Sequence, residues 1–325
     1  MAKRQGQHAF WQYFRTESGR NVVFVSACCT TIGLYLVNYL PHTLGLKYYR
    51  EFMQCYKNGI ERPVPEKVLH RLEIALEKLN VPEYQRKIIK PFTVFGFDLF
   101  QAGSTTKFRF GGALGIPVNY NYASVDDINR DDIRFRTKKI DWNSESGQLL
   151  QDAIILSEDE QIFGLSKCIL QLQTHRVLLN SIFPSASFLV IYTAGAYLNK
   201  SYSLLARPAS LRIVLYSILS LFGLGLWCFM KDFNQVRYDT NIDKKLASMG
   251  AEFVEAGVRF YDKELKKNMA LRKLIKDDTY SARGNINYFI RQKSLPLTMR
   301  KSFFEYKWKE LQTVTHETPI NEIVQ

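Results

Sequence analysis

Two apolar runs that lie close together, "SIFPSASFLVIYTAGAYLN" (181–199) and "LRIVLYSILSLFGLGLWCFM" (211–230), constrain this chain more than any other feature. Arg212, at the edge of the second run, is the only charged residue in either. Each run is about long enough to cross a hydrocarbon core of roughly 30 Å at 1.5 Å per residue. The short link "KSYSLLARPAS" then makes them a transmembrane helical hairpin over 181–230. The rival reading is two buried helices of a soluble core, because Gly223, Gly225 and the Ser and Tyr residues are tolerated in either setting. A hairpin returns the chain to the face it left, so the soluble regions on both sides of it share one side of the membrane. Charge does not fix which side: Lys200, Arg207 and Arg212 in and beside the link are nearly matched by Arg176, Lys231 and Arg237.

A third, weaker run, "NVVFVSACCTTIGLYLVNYL" (21–40), follows a basic segment (1–20) whose first fifteen residues carry no acid. It fits a signal anchor, a third span or part of a transit sequence. An uncleaved anchor helix is the favoured reading, since no small-x-small cleavage site follows and nothing downstream suggests a disulfide framework. Cys28, Cys29, Cys55, Cys168 and Cys228 form no CxxC and meet no histidines at finger spacing, so they are expected to be small apolar packing residues. The net charge of +13 is spread along the chain and not gathered into a stripe. That argues against nucleic acid and for an anionic membrane surface.

Between anchor and hairpin (41–180) an α+β region is expected. "VPEKVLHRLEIALEKLN" (64–80) places Val68, Leu69, Leu72, Ala75, Leu76 and Leu79 on one helical face. "KPFTVFGFDLFQAG" and "FRFGGALGIPVNYNYAS" change to the alternation of strands. "GGALG" (111–115) lacks GxGxxG and a following helix, so it is expected to be a turn or bulge and not a phosphate cradle. Asp126, Asp127, Asp131 and Asp132 lack EF-hand spacing and are expected to be solvated loop charges. His8, His42, His70, His175 and His316 are scattered, so no nucleophile–base set is encoded. After the hairpin (231–325), Leu246, Met249, Phe253, Gly257, Phe260 and Leu265 recur at helical steps, in one long helix or two. Gly250 and Gly257 would let another helix approach on that face. The basic, aromatic tail is expected to pack back on the domain or on lipid headgroups.

Several stretches resemble the transmembrane protein 177 family: "KPFTVFGFDLFQAG" at 90, "GIPVNY" at 115, "IDWNSESGQLLQDAIILSEDEQIF" at 140, "GVRFYDKELKKNMALRKLI" at 257 and "GNINYFIRQKSLPLTMR" at 284. The resemblance implies a multi-pass protein of the mitochondrial inner membrane. It also implies a role in stabilising newly made cytochrome c oxidase subunit II, with that subunit's dedicated assembly chaperone and copper metallochaperones as partners.

A remoter resemblance is to gluzincin membrane peptidases, in which strands, an HExxH helix, a membrane hairpin and a helix opening with ExxAD follow in that order. Here "KCILQ" (Lys167–Gln171) stands in place of HExxH, and "DTNID" (Asp239–Asp243) in place of ExxAD. Zinc catalysis needs two imidazoles one helical turn apart, a carboxylate ligand and a glutamate base. Lys167 and Gln171 replace the histidines, Cys168 replaces the base, and only Asp239 keeps a carboxylate, in a segment that ends at the degenerate position Asp243. The reading is therefore an α+β membrane protein with a degenerate zinc-peptidase-like soluble domain, interrupted by the hairpin and preceded by an anchor helix. It would be non-enzymatic, with no metal or cofactor. An active protease using an unrecognised site and a membrane scaffold without a client are the alternatives.

Overall fold

The computed structural model describes Tyr13 and residues 16–105, 110–130, 133–135, 138–276 and 278–317. His8, Asp131 and Asp132 lie outside the described residues. In chain order the first helices and strands are α1 (Glu17–Tyr39), α2 (Leu46–Met53), β1 (Tyr56–Lys57), β2 (Ile60–Glu61), α3 (Glu66–Lys78) and α4 (Glu83–Ile88). There follow β3 (Ile89–Val94), β4 (Phe100–Ser104), β5 (Gly111–Pro117), β6 (Arg134–Phe135), β7 (Lys138–Lys139) and α5 (Glu145–Ile154). The rest is helical: α6 (Glu158–Leu172), α7 (Arg176–Ser201), α8 (Ala209–Ala247), α9 (Ala251–Ile275) and α10 (Leu297–Glu317).

The chain divides into two compact units, one of Met1–His42 with His175–Asn234, the other of Thr43–Thr174 with Gln235–Gln325. Glu17–His42, Arg176–Ser201 and Ala209–Ala247 are long and apolar enough to cross a membrane, and the first unit holds the first two and the third as far as Asn234. Their side chains point mostly outward, as a lipid solvent requires. The Ser185 hydroxyl of α7 donates to Thr31 O of α1 at 2.8 Å, and Gly223 of α8 leaves Ile191 of α7 the space a Cβ would fill. Cys28 and Cys29 are exposed on α1, so the expected packing role does not hold for them. The helices also overrun the 181–230 hairpin. α7 starts at Arg176, and α8 continues beyond its apolar part to Ala247.

In the second unit, β5 is the middle strand of a three-stranded sheet of order β3-β5-β4. It pairs parallel to β3, from Ile89 opposite Gly112 to Val94 opposite Pro117, and antiparallel to β4. "GGALG" is thus a fully buried central strand and not the expected turn. Its glycines answer to crowding: a Cβ on Gly115 would collide with Val94 of β3 and with Phe100, the residue that faces Gly115 on β4.

The sheet packs on α6, a helix buried on nearly every side. It lies in the core although it carries polar residues, and Glu160, Gln161 and Ser166 are buried with its apolar ones. Ser157 and Glu160 close its first turn as a capping box, with Ser157 N donating to Glu160 at 2.7 Å and Glu160 N to the Ser157 hydroxyl at 3.4 Å. Phe163 of α6 meets Phe260 and Tyr261 of α9 and Phe304 of α10, with ring centres 5.3 to 5.7 Å apart. α3 buries Val68, Leu72, Ala75 and Leu76, while Leu69 is exposed at the edge of that stripe. Gly257 lies against Phe304 as a close helix approach needs. Gly250 does not, because it sits at the head of α9 with φ +126° and turns the chain out of α8.

Asp127 caps its own loop, its carboxylate accepting from Ala123 N at 2.8 Å and Ser124 N at 3.0 Å. Those backbone hydrogen bonds hold it below the usual carboxylate range.

Candidate functional site

α6 and the last turns of α8 bring all five positions of the degenerate motif into one region. Asp239 and Asp243 lie one helical turn apart on α8 and so share a face. Both are buried, at 1% and 2% exposure. Asp243 receives Arg300 Nε at 2.7 Å and Nη2 at 2.6 Å, a two-pronged pair, and the Tyr261 hydroxyl at 2.9 Å. Asp239 receives Gln235 Nε2 at 2.9 Å, Leu295 N at 3.1 Å and Gln171 Nε2 at 3.5 Å. Arg300 Nη1 lies 3.7 Å from Asp239 Oδ1, so one guanidinium bridges the two carboxylates.

On α6, Gln171 also accepts from Gln101 of β4, and the Cys168 thiol donates to Gln101 Oε1 at 2.9 Å. Lys167, half-buried, lies over the rings of Phe260 and Tyr261 at 5.4 and 5.5 Å.

The electrostatics follow from this packing. Burial opposes the charged form of Arg300, but Tyr261, Asp243 and Asp239 outweigh it and hold the guanidinium above its ordinary value. Burial first, and the nearby Arg300 second, hold the Lys167 amine below its ordinary value. The Tyr261 phenol is pushed up by burial and by its bond to Asp243, so it stays a donor.

The donor set does not fit zinc. The helix offers an amine and an amide where imidazoles are needed and a thiol where the base would stand, and the carboxylates already hold a cation. Among the described residues no group of three or more His, Cys, Asp or Glu is placed to hold a metal ion.

Sequence reasoning missed Arg300, Tyr261 and Gln101. A buried carboxylate pair with no histidine must find a cation elsewhere, and that requirement is the signal that would have pointed to an arginine such as Arg300.

A cavity of about 410 Å³ opens elsewhere on the same unit, beyond the carboxyl ends of the parallel strands β3 and β5. Phe95 and Phe97 follow β3, Val118 and Asn119 follow β5, and Lys57 and Arg62 add positive charge. The Asn119 side chain is 3% exposed, and its carbonyl oxygen has no hydrogen-bond partner.

Transmembrane protein 177 of Rattus norvegicus is 27% identical over 295 residues, 89% of this chain and 93% of the relative. The Mus musculus protein of that name is 27% identical over 306 residues, 93% of this chain and 94% of the relative. The Homo sapiens protein is 26% identical over 295 residues, 89% and 93% respectively. Over about nine-tenths of its length the chain is similar to proteins of the transmembrane protein 177 family. No protein-family model and no solved structure matches the chain.

Proposed function

We propose that this protein, similar to the transmembrane protein 177 family, is a non-enzymatic assembly factor of the mitochondrial inner membrane. It holds newly made cytochrome c oxidase subunit II together with that subunit's dedicated assembly chaperone and copper metallochaperones. The observation that carries the non-enzymatic half is Arg300. Its guanidinium occupies both carboxylates of a site in which a peptidase-like arrangement would need a metal. The convergence of Lys167, Cys168, Gln171, Asp239 and Asp243 supports a peptidase-like scaffold whose chemistry has been replaced by a structural ion pair.

A scaffold that once held an extended peptide can still bind one without cutting it. The strands between 90 and 122 end at the 410 Å³ cavity, whose aromatic and cationic lining suits a client segment. The unpaired Asn119 oxygen there accepts a hydrogen bond, which a peptide N–H supplies.

The test is the lifetime of pulse-labelled subunit II in mitochondria with and without the protein. Faster loss in its absence is expected. Slower loss would point to a protease, and no change would leave a scaffold without this client.

A further inference from the structure

α2 is apolar on two opposite faces. Leu46, Tyr49 and Met53 pack on the sheet against Phe92, Val94, Ala102 and Ala113. Leu44, in the turn before the helix, and Tyr48 and Phe52 follow one another at four-residue steps, on the face opposite. They are 69%, 73% and 83% exposed. Scattered exposed apolar residues are ordinary, but a contiguous row on one helix face marks an interaction surface.

Chain position says what covers this row. The first apolar span ends at His42, and Leu44 comes two residues later, at most roughly 7 Å of extended chain. α2 therefore begins within the headgroup zone of whatever bilayer α1 crosses, where a protein partner would have to displace lipid. The composition suits that depth. Tyr48 has a ring for the acyl boundary and a hydroxyl for water, and exposed Lys47 stands beside it for anionic headgroups.

We propose that α2 is an interfacial helix. Its Leu44–Tyr48–Phe52 face is seated at the boundary between headgroups and acyl chains, while its opposite face carries the sheet. The bilayer surface thereby sets the height of the sheet through one short, rigid element.

The full chain in nanodiscs of phosphatidylcholine and phosphatidylglycerol tests this, with p-benzoylphenylalanine replacing Tyr48, Phe52 or, as a control, Tyr49. Irradiation is expected to add the mass of one phospholipid at 48 and at 52 and none at 49. Absence of lipid adducts at both 48 and 52 would overturn the proposal, and so would adducts to another protein at those positions in native membranes. A second readout does not depend on the probe. In the Tyr48→Asp, Phe52→Asp double variant, amide exchange over residues 46–53 is expected to rise roughly tenfold while α6 is unaffected. Unchanged exchange over α2 would also sink it.

Discussion

Two stretches of a single helix, α8, show opposite rules of burial. In its first half Ile213, Leu221 and Phe222 are more than 60% exposed, while in its last turns Asp239 and Asp243 are almost wholly enclosed. Apolar side chains stay outside where lipid is the solvent, and carboxylates go inside where the protein supplies guanidinium, phenol and amide donors. The same contrast separates the two units as wholes. The first shows its large apolar residues outward, and the second encloses Glu160, Lys267 and Arg300, each with a partner of opposite charge. Exposure alone therefore says nothing about which unit is the better packed; the solvent on each side decides.

The sharpest way to break the comparison is Arg300→Met, which would leave two buried carboxylates without their cation. A loss of about 3–5 kcal/mol is expected, read as a fall in unfolding temperature of the purified full chain in detergent. A change under about 1 kcal/mol would mean that water reaches Asp239 and Asp243 and that the cluster is not truly internal.

Glycines test packing in both units. A Cβ at Gly257 would come within 2.6 Å of the Phe304 ring, and Phe304 is itself pinned among aromatic neighbours. Gly257→Ala should cost about 1–3 kcal/mol. Gly223→Ala meets only the flexible end of Ile191, so a smaller loss, about 1 kcal/mol or less, is expected from the same melts. Equal losses would remove the distinction between a fixed core and an adaptable helix pair.

Acid titration distinguishes a half-exposed pair from the buried one. Burial tends to raise the Asp262 carboxyl, but hydrogen bonds from Lys266 and Lys301 prevail and hold it below its ordinary value of 3.8. Its stabilising contribution is therefore present above that value and lost as pH falls through the lower folded value. The stability gap between the natural chain and Asp262→Asn should accordingly be visible at pH 7 and close near pH 2. A gap that persists at pH 2 would mean that shape, and not charge, is what Asp262 contributes.

The smallest effect is expected at Lys78 and Glu252. These are 3.0 Å apart but 39% and 82% exposed, and Glu252→Gln should change stability by less than about 1 kcal/mol.

The spans and the amphipathic face of α3 were legible because each is a local pattern, a run of about 20 apolar residues or a repeat every three to four. Asp239 was singled out by the order of motifs along the chain, but its pairing with Asp243 one turn on is read only from the fold. Arg300 was not legible, because it lies 57 residues from Asp243 and only the folded chain brings them together. β5 was misread because three glycines in five residues ordinarily signal a turn, whereas here they answer to close neighbours from distant parts of the chain, Ile88 at Gly111, Leu172 at Gly112, and Val94 and Phe100 at Gly115. Leu69 was misplaced by the width of the stripe: the 3.6-residue period gives a direction, not the extent of the surface that covers it.

The second unit is assembled from two stretches of chain separated by α7 and most of α8. Phe163, made early, finds Phe260, Tyr261 and Phe304 only after both later membrane helices have been synthesised. Until then the face of α6 that meets α9 and α10 is uncovered, so the core of the second unit closes only after the hairpin has been made.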